Sequence, residues 1–484
     1  MPENPKIEKR NWEILYSRYE GPEKKAVELI YREMENLILR DAEKYTYHVM
    51  PVRRAVDGLS TRHAVIVGTY RENELVRRYV KADEIPNDGF LVKVFDDPEQ
   101  SDRKLAIITA HTSREVFYGA TDFVDDYFAF AEPRHVVIHF PRDLFSEHLP
   151  DYTHASAPKN KVRSVFTWAH PIHDYRTYID NAARLRLNTL ILWNDFLPVN
   201  ARDVADYAHE YGMRLIWGYA WGWSRKCGSA DLTPEALSQM KEKIIKQYED
   251  EYASSGADGI YFQSFTELKE ATIGDRLIAD VVTEFVNDVA ADLLAKYPDL
   301  LLQFGLHATS VKDHLSYLEA LDPRVEIIWE DCGPFPYHYD PTSVDDIEAM
   351  RSTDNIFALR GGAACGALFK GHLTLDWVGA HFAHQTGPYV LGQASADTIA
   401  RNRETVRPLW KSFQSDWLEN GDHAHRLTQY IQKQSPRVSL GFVGQFADFL
   451  PFSEALCAEI LWNADEPYEV IFKRVLKRHS VEML

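Results

Sequence analysis

Six tryptophans and a set of carboxylates fall at or just after the ends of what read as successive short apolar strands. Trp168 and His170 follow the first run, Trp193, Asn194 and Asp195 the second, and Trp221 and Trp223 the third. Gln263 and Glu267 follow the fourth, His307 the fifth, and Trp329, Glu330 and Asp331 close the sixth. Arg360 ends the seventh, with Lys370, Asp376 and Trp377 in the segment after it. A sugar presents flat apolar faces rimmed by hydroxyls, so a pocket for it combines aromatic platforms with carboxylate, amide and guanidinium partners. Any one of these tryptophans is as readily a core residue; six at successive strand ends are harder to explain that way.

Cleaving a glycosidic bond needs an acid to protonate the leaving oxygen and a second carboxylate to activate water or attack directly. Glu267 is placed for the first role and Glu330 or Asp331 for the second. The plainer alternatives are an acidic residue opening a helix in TELKEA, favoured there by the helix dipole, and a pair that organises the loop CGPFPYHY. Two strands separate the carboxylates, so they should oppose each other across the mouth. A gap of about 6.5 to 9.5 Å leaves room for a water and gives an inverting reaction. Neighbours on a strand point to opposite sides, so only one of Glu330 and Asp331 can reach that water; the strand-end position favours Asp331.

Residues can converge in this way only if the strands lie side by side. From about residue 162, buried strands alternate with amphipathic helices, which predicts a parallel sheet covered by helices. The strands read as 162–168, 188–195, 213–223, 258–265, 300–307, 325–331, 355–361 and 389–394, the count that closes a barrel, with its active site at the carboxyl ends. The fold class is therefore α/β: a (β/α)8 TIM barrel over 159–395, preceded by a small α/β domain (1–158) and followed by a helical region (396–484). The small domain opens with an amphipathic helix in 22–48, then strands at 63–70, 89–95 and 104–111 and a helix in YGATDFVDDYFAF.

Composition removes whole classes of partner. The 484 residues carry a formal net charge of −19 and no Lys/Arg cluster, so neither nucleic acid nor an anionic membrane is expected. No run of about 18 apolar residues occurs and the charged start lacks a secretory signal, which predicts a cytoplasmic location. The four cysteines have no CxxC spacing, so no disulfide framework or structural zinc site is expected. The expected partner is a carbohydrate substrate, with no cofactor and no metal; association with a second copy is left open.

The stretch ADGIYFQSFTE (257–267) resembles the α-glucuronidases of glycoside hydrolase family 67, in which Asp-Gly opens the fourth strand and Ser-Glu closes it. The resemblance implies that Glu267 is the general acid. IVGTY, EIPNDGFLV and VFYGATDF resemble the domain that precedes the barrel in families 67 and 20. RSVFTW is similar to their Arg-led first strand, which implies that Arg163 holds sugar hydroxyls. Gln263 stands where family 67 carries a Lys for the substrate carboxylate, so the pocket is not expected to be built for a uronate. RGGAACG has no Glu to match that family's strand-7 base. Families 20 and 84 place two adjacent acids after the fourth strand, whereas QSFTE offers one, so substrate-assisted chemistry is not expected.

Two rivals remain. His170, His173, His307 and Asp331 could surround one ion in a metal-dependent hydrolase, although a spacing of three does not put two strand ligands on one side. A noncatalytic sugar-binding barrel would keep the aromatic pocket without needing either carboxylate.

Overall fold

The computed structural model describes residues 12–37, 50–60, 62–128, 150–168, 172, 174–193, 197–222, 232–268, 270–306, 310–332, 346–360, 365–369, 395–434, 439–443 and 452–478. The chain divides into two compact units: Met1–Pro158 with Glu210–Gly212, and Lys159–His209 with Met213–Leu484.

The first unit is a six-stranded sheet of order β2-β1-β3-β5-β4-β6. Its strands are β1 (Trp12–Tyr16), β2 (Val52–Arg54), β3 (His63–Thr69), β4 (Phe90–Asp96), β5 (Lys104–Ala110) and β6 (Tyr152–Ser156). β2, β1, β3 and β5 run parallel, while β4 is antiparallel to both β5 and β6. The strands read from sequence in this region are present; β1, β2 and β6 were not anticipated. Helices α1 (Gly21–Leu37), α2 (Glu74–Tyr79) and α3 (Ser113–Asp122) follow β1, β3 and β5. Asn73 caps α2, accepting from the Leu75 and Val76 N–H groups and donating to the Val67 carbonyl. Those bonds satisfy helix-end donors that burial would otherwise orphan.

The second unit closes a barrel of eight parallel strands. In chain order these are β7 (Arg163–Trp168), β8 (Thr189–Trp193), β9 (Arg214–Gly218) and β10 (Gly259–Gln263), then, after a short hairpin of β11 (Thr272–Ile273) and β12 (Arg276–Leu277), β13 (Leu301–Leu306), β14 (Val325–Cys332), β15 (Cys365–Phe369) and β16 (Ser439–Val443). Helices α4 (Tyr175–Arg184), α5 (Ala201–Glu210), α6 (Pro234–Gln247), α7 (Ile278–Lys296) and α8 (Asp346–Arg360) lie between them. Asp174 caps α4, and Thr233 with Pro234 opens α6, the arrangement in which the missing proline N–H costs nothing. Phe166, Ile191, Trp193, Ile216, Tyr261, Ile328 and Leu368 fill the lumen. Each large aliphatic or aromatic side chain buried there contributes about 1.5 to 3 kcal/mol.

Two expected strands are corrected. Residues 355–360 of the expected seventh strand end α8 instead, and the seventh strand is β15, a few residues later. The eighth is β16, deep in the region expected to be wholly helical, while 389–394 lies outside the described residues. The barrel strands therefore run on well past residue 395. Around β16 the chain is helical as expected, in α9 (Ala396–Gln434), which carries Pro408 internally, α10 (Phe452–Trp462) and α11 (Tyr468–Arg478). No helix among the described residues is long and apolar enough to cross a membrane.

Candidate active site

Side chains alternate along a barrel strand, so Tyr261 and Gln263 on β10, Gly305 on β13, and Ile328 and Glu330 on β14 all face the lumen. Glu330 is 1% exposed and sits near the carboxyl end of its strand. Its Oε1 accepts from the Tyr261 hydroxyl at 2.5 Å, and the Gln263 amide nitrogen lies 2.6 and 2.7 Å from Oε1 and Oε2. These donors suit an acceptor-only carboxylate, and they fix its orientation. A Cβ built on Gly305 would overlap both Glu330 Oε1 and the Tyr261 hydroxyl, so only glycine leaves the pair its space.

Trp193 also faces the lumen. Its ring meets Tyr261 edge-on at 6.0 Å and covers Gly218, where an added Cβ would come within 2.8 to 2.9 Å of the indole. It is 3% exposed and forms part of the floor beneath the mouth. Glu267 lies in the 3-10 turn Phe265–Glu267 directly after β10. That turn is tied to the segment after β13, because the Ser310 N–H and hydroxyl both donate to the Thr266 carbonyl, at 3.1 and 3.0 Å.

Three expected substrate contacts are corrected. Arg163 opens β7 at the amino end of the barrel, opposite the mouth. It is 1% exposed, donates to the carbonyls of Arg186 and Asn160, and lies under the Trp462 ring. Arg360 ends α8 and donates to the carbonyls of Leu321, Asp322 and Val325, which lead into the amino end of β14. Both guanidiniums satisfy main-chain acceptors, a stabilising role that belongs to this face of the fold. Trp221 is fully buried and stacks at 9° on Phe262, which alternation turns away from the lumen, so it is core packing and not a sugar platform.

The side chains of Trp168, Glu267 and Asp331, and the residues His170, His173, Asn194, Asp195, Trp223, His307, Lys370 and Trp377, lie outside the described residues. Tyr261 is the member of the site that the sequence reading passed over; counting back two residues from Gln263 along the strand would have found it. Among the described residues, Asp122, Asp126 and His154 could together hold an ion, but they lie in the first unit. His154 Nδ1 there pairs with Asp122 Oδ1 at 2.7 Å. The side chains of Cys365 and Cys457 are buried, and burial pushes the Cys365 thiol up to about 12.

A closed barrel of eight parallel strands with helices outside is the (β/α)8 class. No family model matches the chain, and no curated protein does. Solved structures of similar fold include CpGH84D, at 10% identity and a TM-score of 0.51 over 96% of this chain and 68% of that one. They also include BtGH115A, a family GH115 4-O-methyl-α-glucuronidase with specificity for decorated arabinogalactans, at 13% identity and a TM-score of 0.51 over 96% of this chain and 59% of that one. The chain thus spans less than two thirds of the latter's length. At such identities the likeness is one of fold.

Proposed function

We propose that the chain is a glycoside hydrolase acting on a small oligosaccharide or glycoside at the carboxyl mouth of the barrel. The observation that carries this reading is Glu330, a buried carboxylate aimed into the lumen and held by Tyr261 and Gln263. The fold it shares with glycosidases of other families supports it. Glu267 is the general acid, giving its proton to the leaving oxygen as the anomeric C–O bond breaks. The second carboxylate takes a proton from the water that forms the new C–O bond. Glu330 is preferred over Asp331 for that part because its side chain already faces the lumen. The mechanism is inverting.

Gln263 gives its amide to Glu330 and brings no cation to the mouth, so a uronate is not the favoured substrate, in contrast to what the name of BtGH115A says of that protein. The single acid of QSFTE argues equally against substrate-assisted chemistry. A second reading, a noncatalytic sugar-binding barrel, draws support from the hydrogen bonds already made by both oxygens of Glu330. A panel of aryl glycosides and oligosaccharides, with proton NMR of the first-formed anomer, tests the proposal. Binding without turnover of any member would favour the second reading, and a retained anomer would exclude the inverting mechanism.

A further inference from the structure

The first unit contains a cleft of about 440 Å³ that the barrel chemistry does not use. It opens at the carboxyl ends of β1, β3 and β5, lined by Arg18 and the segment from Glu20 to Glu23, by Thr69, Arg71 and Glu72, and by His111 to Ser113. Its volume falls within the range of about 300 to 1,000 Å³ usual for small-molecule sites.

The topology makes this the expected place for a ligand. From β1 the chain passes through α1 to β2 on one side of the sheet order, and from β3 it passes through α2 towards β4 and β5 on the other side. α2 packs with Leu15, Ile66 and Ile107 on one face of the sheet. α3, which packs against α1, meets Ile108 and Phe90 on the opposite face. The connections diverge between β1 and β3, and open α/β sheets bind ligands in the crevice formed at such a switch point.

Two buried oxygens on residues that line the cleft supply an independent sign. Glu23 is 1% exposed, and its Oε1 accepts from the Ser17 N–H at 2.9 Å, the Ser17 hydroxyl at 2.8 Å and the Arg18 N–H at 2.5 Å. Its Oε2 has no partner among the described residues, and neither does the hydroxyl oxygen of Thr69, which is 7% exposed. A buried polar atom left unpaired is costly, and a ligand donor reaching these two would relieve that cost. The lining carries three carboxylates, Glu20, Glu23 and Glu72, against the guanidiniums of Arg18 and Arg71. Arg18 already pairs with Glu20 and Glu72. That balance disfavours an anion and suits neutral hydroxyl groups.

We propose that this cleft binds a neutral monosaccharide or similar polyol, with hydroxyls donating to Glu23 Oε2 and Thr69 Oγ1 and the Arg71 guanidinium left to meet the ligand's oxygens. The site is distinct from the barrel mouth and needs no turnover to be observed.

The test is calorimetric titration of the full chain carrying Glu330→Gln with glucose, galactose and xylose, and in parallel with inorganic phosphate. At least one sugar should bind. Adding Thr69→Val, which replaces an unpaired hydroxyl with a methyl of similar shape, should weaken that binding about threefold or more. It should leave the melting temperature unchanged or higher. Glu23→Gln, which turns the open acceptor into a donor, should weaken the binding further. Sugar affinity unaffected by both substitutions, binding of phosphate alone, or no binding in any arm would overturn the proposal. In the otherwise wild-type chain Thr69→Val should leave glycoside turnover unchanged.

Discussion

Gln263 and Glu330 stand two strands apart in the barrel wall and meet in the lumen, the amide nitrogen of one within 2.7 Å of both carboxylate oxygens of the other. The amide thereby engages both carboxylate oxygens and fixes the orientation of the carboxylate.

Replacing Gln263 with Leu removes that donor from a buried carboxylate. The expected loss is about 1 to 3 kcal/mol of stability, the usual penalty for stranding a buried polar group, together with a fall in turnover. Denaturant titration and steady-state kinetics check this together. An unchanged unfolding midpoint would mean that the pair is not the anchor described above.

Glu267→Gln should leave folding intact and lower turnover about a hundredfold or more on substrates with poor leaving groups, as the loss of a general acid does. Activated aryl glycosides, whose leaving groups need little protonation, should suffer much less. Equal losses on both substrate types would remove Glu267 from the role of acid.

Gly305→Ala places a methyl where Glu330 Oε1 and the Tyr261 hydroxyl now lie. Overpacking of this kind costs about 1 to 3 kcal/mol. Because the displaced groups belong to the site, activity should fall by more than the stability change explains. Wild-type kcat/KM in a folded Gly305→Ala protein would show that Glu330 is not part of the chemistry.

His209 and Asp258 form a pH-sensitive clasp, with Nε2 3.0 Å from Oδ2. The hydrogen bond to Asp258 raises the histidine above its ordinary 6.5 against a smaller opposing effect of burial. Burial pushes the Asp258 carboxyl up, but the bonds from His209 and the Leu215 N–H hold it below its ordinary value. A histidine raised on folding stabilises fully below its unfolded value and loses that contribution as pH rises through the folded one. Melting temperature should therefore decline on going upward from about pH 6.5, and the decline should flatten in His209→Gln. An identical slope in the variant would refute the assignment.

The sequence made the first six barrel strands legible because each is a compact apolar run bounded by turns, with a helix of clear periodicity after it. It misled at the seventh because NIFALR is a short apolar run, which periodicity alone cannot assign to strand or helix, and here it lies on α8. The strands β15 and β16 were hidden by their glycines, Gly366 and Gly441, which weaken a strand signal. Both are needed in the packed wall: a Cβ on Gly441 would strike Ser164 and Leu368, and one on Gly366 would strike Ile328 and Ser439. At the site, Glu330 and Gln263 were legible as polar residues near strand ends. Arg163 and Arg360 were not, since a guanidinium that caps carbonyls at the foot of a strand looks in sequence like one that greets a substrate at its head.

Closure of the barrel joins the first of its strands to the last, with Leu440 paired to Arg163 and the Leu440 carbonyl accepting from Ser164 across 276 positions of sequence. During synthesis the wall therefore cannot close until residues 439–443 have left the ribosome. Before that, β7 and β15 expose two unpaired edges, a template for association with other chains. A nascent chain arrested at residue 434 should accordingly be captured by chaperones or aggregate, whereas one released past 478 should not. Ribosome-bound chains of graded length, assayed by proteolysis, would register the difference as an abrupt gain of protection in the first strand only after the last has emerged.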